Sequence, residues 1–329
     1  MIESKYESTR EAFDEWNQIN VIPIIDLSGE ESSVNHVNTE EANQSDLSEG
    51  NVNFGTPLIY DNVGPVCLEE VDQYFGQLDL SQYEDKIVPV KHYSFLQRIT
   101  RRITFKEKCL KKSLISERNK IFCLALVPFD NCNPWHYRFL ITIYQQLTNC
   151  NPNEPIPRTG PHWETIGFQG IDPATDLRGV GIFALYQLLY LTLLPECSLL
   201  CHDIYSLSLD AIQQFPFAAM STNITAIVLQ LLRSGKLNRY LNAQCNALKV
   251  ANSLYCDLYY QLIKIWSEKR ATIKDAGFIL KEVKIKCNKH LNKVIGSSAG
   301  YGVGKDGRLQ LKQTELIQFS NLGNVFDDN

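Results

Sequence analysis

Between Ala247 and Glu268 the side chains Ala251, Leu254, Tyr255, Leu258, Tyr259, Leu262, Ile265 and Trp266 recur at steps of three and four. That spacing turns one face of an α-helix toward a core. From Arg178 to Leu194 the pattern differs, because Ile182, Phe183, Leu185, Tyr186, Leu188, Leu189, Leu191 and Leu193 surround the axis. A helix that is apolar on all sides is a central one. Further helices are expected over Trp135 to Thr148, Cys197 to Leu209, Phe217 to Arg233 and Ala276 to Val294. Residues His92 to Leu126 mix Phe95, Leu96, Ile99, Ile103 and Leu110 with many Lys and Arg, which predicts a basic amphipathic stretch. Alternating strands are scarce and no period of 20 to 50 residues repeats. The pattern predicts an all-α, compact multi-helix globule.

Charge divides the chain. Its 329 residues carry a net charge of -5, yet Glu11 to Asp85 holds 17 acids and no Lys or Arg, leaving residues 86 to 329 at +12. An acidic extension on a basic body is the expectation, with the extension either solvated or lying weakly over the basic surface. Ser28 to Thr56 is rich in Ser, Asn, Glu and Gly, too polar to offset the entropy of ordering, and reads as disordered. Val21 to Leu27 is an apolar island whose Pro23 restricts any sheet role to an edge. Residues Lys86 to Lys120 hold 11 bases against Glu107 and Glu117, a stripe suited to a solvated helix face or to peripheral contact with anionic membrane.

The composition, 44% hydrophobic and 21% charged, is that of a globular protein. The ten cysteines form no CxxC pair and read as free thiols in a reducing compartment. Cys197, Cys201 and His202 lack the further ligands that a metal site needs. The first residues lack a secretory pattern, Ile2 excludes myristoylation, and the apolar run Val180 to Leu194 is short for a membrane span. A cytoplasmic protein without a transmembrane segment is expected. His92, His136, His162 and His202 stand in no nucleophile motif, which argues against a hydrolase. Tyr93, Phe95 and Phe105 among the bases sit at helical spacing and read as core, so no nucleic-acid partner is expected. Gly300, Gly302 and Gly304 fit neither a P-loop nor a dinucleotide fingerprint and read as part of a flexible tail.

The segment Pro161 to Gly181 departs from its surroundings by packing glycines, proline, Thr-Asp and one arginine ahead of the central helix. Asp172-Pro173 marks a turn, and Thr175 or Asp176 is placed to cap the helix. Arg178 then falls in the first turn, where the helix dipole disfavours a cation. Two readings follow: Arg178 is locked onto Asp176 to hold the loop, or it is presented to an external anion, with Gly179 and Gly181 leaving room for close approach.

The run W-x3-G-F-Q-x3-P-x-T-D-x-R-G-x-G-x3-L-x2-L is filled at every fixed position by Trp163, Gly167, Phe168, Gln169, Pro173, Thr175, Asp176, Arg178, Gly179, Gly181, Leu185 and Leu188. It resembles the signature of the ELMO domain. Leu177 stands where that family commonly has Phe. The resemblance extends through Gln213 to Phe217, Met220 to Thr225 and Asp275 to Glu282. It covers roughly residues 134–295, the expected ELMO domain, and composition and patterning divide the rest into 1–60, a largely disordered acidic N-terminal region; 61–133, a helical lead-in with the basic stretch; and 296–329, a flexible tail. Single-domain ELMO proteins are GTPase-activating proteins for Arf and Arf-like small GTPases, so the resemblance implies that Arg178 supplies the required arginine in trans. Thr175, Asp176 and Gln169 would position it, and Trp163 and Phe168 would fill the core beneath. No cofactor is implied for this chain, since GTP and Mg2+ belong to the partner. The alternative is a non-catalytic adaptor or scaffold, the role of the larger engulfment proteins, whose helical repeats and pleckstrin-homology region this sequence lacks. Cilia and actin-based structures are the places the resemblance suggests.

Overall fold

The computed structural model describes residues 64–87, 109–151 and 154–302. Most of the acidic region, most of the basic stretch between Lys86 and Lys120, and residues 303–329 lie outside them. Among the described residues every regular element is helical: α1 (Leu68–Gln77), α2 (Ser81–Glu84), α3 (Ser113–Leu126), α4 (Pro134–Thr148), α5 (Ala174–Leu177), α6 (Gly181–Leu193), α7 (Ser198–Ser208), α8 (Phe217–Arg233), α9 (Asn238–Gln244), α10 (Ala247–Lys269) and α11 (Ala276–Val294).

Local chemistry sets the ends. At α4 the Asn133 side chain accepts from the backbone N–H of Trp135 and Pro134 occupies the first turn, where its missing N–H costs nothing. The Asn246 carboxamide caps α10 by accepting from Lys249 N at 2.8 Å, and Arg270 ends that helix in the left-handed region at φ 49°. Before α11, Thr272 and Asp275 form a reciprocal capping box that fixes the turn into the helix. Each device satisfies backbone groups that a helix end leaves without partners.

The fully apolar helix takes the centre. Every residue from Gly181 to Leu189 on α6 is buried, and α6 contacts α1, α3, α4, α7, α8 and α10. The amphipathic α10 packs on α8 and α11 and buries Tyr255, Tyr259, Leu262 and Trp266 completely. One hydrophobic core runs from Val66 to Val294. The segment expected as a lead-in therefore belongs to this core, to which it contributes Val71, Phe75, Leu114, Ile121 and Phe122.

The expectation of a flexible tail from residue 296 is corrected as far as residue 302. The buried Asp257 carboxylate accepts from the backbone N–H of Gly296 (2.7 Å) and Ser298 (2.8 Å) and from the Ser298 hydroxyl (2.7 Å). Tyr301 donates its hydroxyl proton to Asp203 and packs edge-on against Tyr260. Gly300 and Gly302 thus lie in turns of a docked strap. Alanine at position 257 would leave the Gly296 and Ser298 N–H groups without their acceptor, so Asp257→Ala is expected to cost roughly 2–3 kcal/mol in urea unfolding. Cleavage of residues 296–302 in limited proteolysis should accelerate with it. Unchanged stability and cleavage would show that the strap is held by something else.

Among the described residues no single helix is long and apolar enough to cross a membrane.

Candidate functional site

The segment between α4 and α6 is built on two close backbone approaches. Gly167, at φ 86°, lies on the start of α8: its carbonyl accepts from Ala219 N at 3.0 Å, and a Cβ at that position would stand 2.1 Å from Phe217 N. Gly181, at φ 55°, lies on the end of α3. Ile182 N donates to Val127 O at 3.0 Å, and a Cβ on Gly181 would stand 2.5 Å from Val127 O and 2.6 Å from Ala125 O. These two glycines anchor the loop at both ends. Gly181 therefore faces the protein's own backbone, which corrects the expectation that it clears space for an external anion.

Between the anchors the loop is pinned from beneath. Trp163 is buried and donates its indole N–H to Arg158 O at 2.8 Å, while Phe168 is buried with its ring edge-on to Trp163 at 6.1 Å. Gly160 N closes the base by donating to Ile171 O at 2.9 Å.

Arg178 does not sit in the first turn of the central helix. The structure divides the expected helix into the single turn α5, a turn through Arg178, Gly179 and Val180, and α6 from Gly181. Gly181 is the physical reason, since its left-handed backbone cannot continue a helix. The capping expectation changes accordingly. Asp172, not Thr175 or Asp176, accepts from the N–H of α5: its carboxylate receives Ala174 N at 3.0 Å, and its carbonyl receives the Thr175 hydroxyl at 2.9 Å. Pro173 is buried behind it. Asn131, on the connection between α3 and α4, donates to both Asp172 oxygens at 3.3 and 3.4 Å. Sequence reasoning missed Asp172 and Asn131 as loop-positioning groups. Asp172-Pro173 carried a turn signal, but nothing local pointed from Asn131 to a partner 41 residues away.

Asp176 points back into the loop, accepting from Gln169 N at 2.6 Å. Burial pushes its carboxyl up to about 6, against the opposing pull of the Gln169 N–H and of the Arg178 charge, with Asp172 adding to the rise. Arg178 itself is exposed and donates from Nε to Thr175 O at 3.3 Å. Among the described residues it makes no ion pair with a carboxylate. Of the two readings left open for Arg178, the lock onto Asp176 is thus not the observed arrangement. The loop is held by its own carboxylates and glycines, and the guanidinium faces solvent.

A carboxyl with a raised folded-state value opposes folding once ionised. That penalty is absent below about pH 4, grows as pH rises toward 6 and is complete above it. Asp176→Asn keeps an acceptor for Gln169 N and removes the charge. The variant is expected to gain up to about 3 kcal/mol over the parent at pH 7, and the gain should vanish at pH 4. Urea unfolding of both proteins from pH 4 to 8 measures it, and a gain independent of pH would contradict a buried ionised Asp176.

Among the described residues no group of three or more His, Cys, Asp or Glu side chains is placed to hold a metal ion. Cys197 faces Cys256 with sulfurs 3.5 Å apart, burial pushes the Cys201 thiol up to about 12, and His202 is exposed.

Fold and loop together define an all-helical protein that presents one arginine from a rigid, glycine-anchored turn. The sequence profile of the ELMO/CED-12 family matches residues 119–280. ELMO domain-containing protein 3 of Bos taurus is 37% identical over 252 residues, covering 76% of this chain and 65% of that protein. The Mus musculus protein of the same name is 36% identical over 236 residues, covering 72% and 61%. ELMO domain-containing protein 1 of Mus musculus is 29% identical over 177 residues, covering 48% and 52%. The chain belongs to the ELMO/CED-12 family. Its match spans roughly three-fifths of the length of the type 3 relatives, and no solved structure matches it.

Proposed function

We propose that this protein is a GTPase-activating protein for an Arf or Arf-like small GTPase, with Arg178 as the finger that completes the partner's active site. The observation that carries this reading is the exposed Arg178 on a loop whose neighbouring Asp172, Thr175 and Asp176 side chains are turned onto the loop's own backbone. Hydrolysis of GTP develops negative charge on the transferring phosphoryl group and its leaving oxygen, and a guanidinium placed there stabilises the transition state. The Nε bond to Thr175 O fixes one edge of the group and leaves its terminal amino groups available as donors. The partner contributes nucleotide, Mg2+ and the residue that orients water, so this chain needs no nucleotide site of its own. A rigid turn suits the task, because positioning is most of what a finger adds.

The test is single-turnover hydrolysis by Arf and Arf-like GTPases loaded with GTP, with the parent and Arg178→Ala. Acceleration by the parent that the variant lacks supports the reading. Binding without acceleration would instead favour an adaptor.

A further inference from the structure

The outer face of α11 is basic and carries two large apolar side chains along its middle. The helix keeps regular backbone from Ala276 to Lys289, ahead of the non-helical backbone at His290. Its inward face is taken by Ala276, Ile279, Leu280, Val283 and Cys287, all of them buried. On the opposite side stand Phe278 and Ile285, 76% and 42% exposed. Their spacing in sequence is close to two full turns, so they lie on one line roughly 10 Å apart along the axis. Lys281 and Lys289 fall on either side of that line, and both are exposed.

Charge on this helix has one sign. Its lysines are Lys281, Lys284, Lys286, Lys289 and Lys293, and its one carboxylate is Glu282, which Lys269 at the end of α10 engages at 2.6 Å. Among the described residues none of these α11 lysines makes an ion pair. Lys236, in the turn between α8 and α9, donates from Nζ to Asn288 Oδ1 at 2.5 Å and sets a further cation beside them. A helix face that only meets water places polar side chains opposite the core. Here a phenylalanine and an isoleucine take that place, framed by ammonium groups.

We infer that the outer face of α11 is a contact surface for anionic membrane lipid, with Phe278 and Ile285 entering the boundary between headgroups and acyl chains. The choice of lipid over an acidic protein follows from the type of cation. Every cation of α11 is lysine, which is depleted in protein interfaces, whereas arginine is enriched there and grips carboxylates with a planar fork. A layer of anionic headgroups asks for no fixed geometry and attracts each lysine as a point charge. Lysine stems also lie along inserted apolar side chains while their ammonium groups stay at the headgroup level. The inference is independent of the role of Arg178.

The test is flotation of the full chain with vesicles of phosphatidylcholine containing about one-third phosphatidylserine, and with vesicles of phosphatidylcholine alone. The parent is expected to float with the mixed vesicles, to stay behind with the neutral ones, and to bind less as salt is raised. Lys281→Glu combined with Lys289→Glu should weaken binding at least about tenfold, and Phe278→Ala about fivefold or more. Thermal stability should be unchanged in both, since the altered side chains are exposed. The basic residues upstream of α3 are intact in these variants, so binding that persists at the parent's level places the contact elsewhere and overturns the inference. Loss on charge reversal with none for Phe278→Ala also overturns it, because nothing then enters the lipid. A parent that fails to float sinks it as well, and retention of that parent on immobilised polyglutamate through the same lysines would assign the face to an acidic protein.

Discussion

Alanine at position 178 is expected to lower the stimulated rate of GTP hydrolysis at least about a thousandfold, the scale on which arginine fingers act. The melting temperature should stay within about a degree of the parent's. The second half of the expectation comes from the structure: Arg178 is exposed, makes no ion pair among the described residues, and contributes one 3.3 Å bond to Thr175 O. Removing such a side chain changes stability by roughly 0.5 kcal/mol or less. Arg178→Lys discriminates further. Lysine keeps the charge but replaces a planar fork of donors with a compact ammonium on a flexible stem. Should the fork matter, lysine recovers only a small part of the rate; should charge alone matter, it recovers most of it. A variant that loses rate together with ten degrees of melting temperature would return Arg178 to a structural role.

Much of the helical body was legible in the pattern of apolar residues. The structure places α8 over Phe217–Arg233 and α11 over Ala276–Val294, the spans the periodicity predicts. Those helices bury one broad face in a continuous core, which is what a step of three and four encodes. The central helix was legible in kind but not at its start. Arg178, Gly179, Val180 and Gly181 read as a helix entry, whereas contact with the carbonyls of Ala125 and Val127 imposes the break at Gly181 from more than 50 residues away. No local rule carries that information. The same holds for Asn131 on Asp172 and for the strap on Asp257, where the partners lie 41 and at least 39 residues apart. The candidate site behaved differently. Its residues were legible as a motif, while their division of labour was not. The cap expected of Thr175 or Asp176 is made by Asp172, while Asp176 turns back onto Gln169 N, because a partly buried carboxylate finds N–H donors wherever the backbone offers them.

The largest loss of stability is expected at Gly167, and it separates two reasons for a glycine. Gly167 and Gly170 both have positive φ, 86° and 100°, so a side chain at either position meets a backbone penalty of roughly 1–3 kcal/mol. Only Gly167 also lies against backbone. Its Cβ would stand 2.1 Å from Phe217 N and 2.6 Å from Pro216 C, whereas nothing lies within 4 Å of a Cβ on Gly170. Neither Phe217 nor Pro216 can yield by a rotamer change, since the atoms in the way are main chain. Gly167→Ala must therefore lift the loop off α8 and break the Ala219 N to Gly167 O bond. That adds the cost of overpacking and of a lost buried hydrogen bond, for a total of roughly 5 kcal/mol or more, against about 1–3 for Gly170→Ala. A loss of that size is comparable with the whole stability of many domains, so Gly167→Ala is expected to be recovered largely unfolded. Urea unfolding of the two alanine variants beside the parent measures the gap. Equal losses would mean that φ alone selects glycine at both positions and that the approach to α8 is loose. A wide gap would mean that contact with α8 fixes the base of the loop, and so the place from which Arg178 projects.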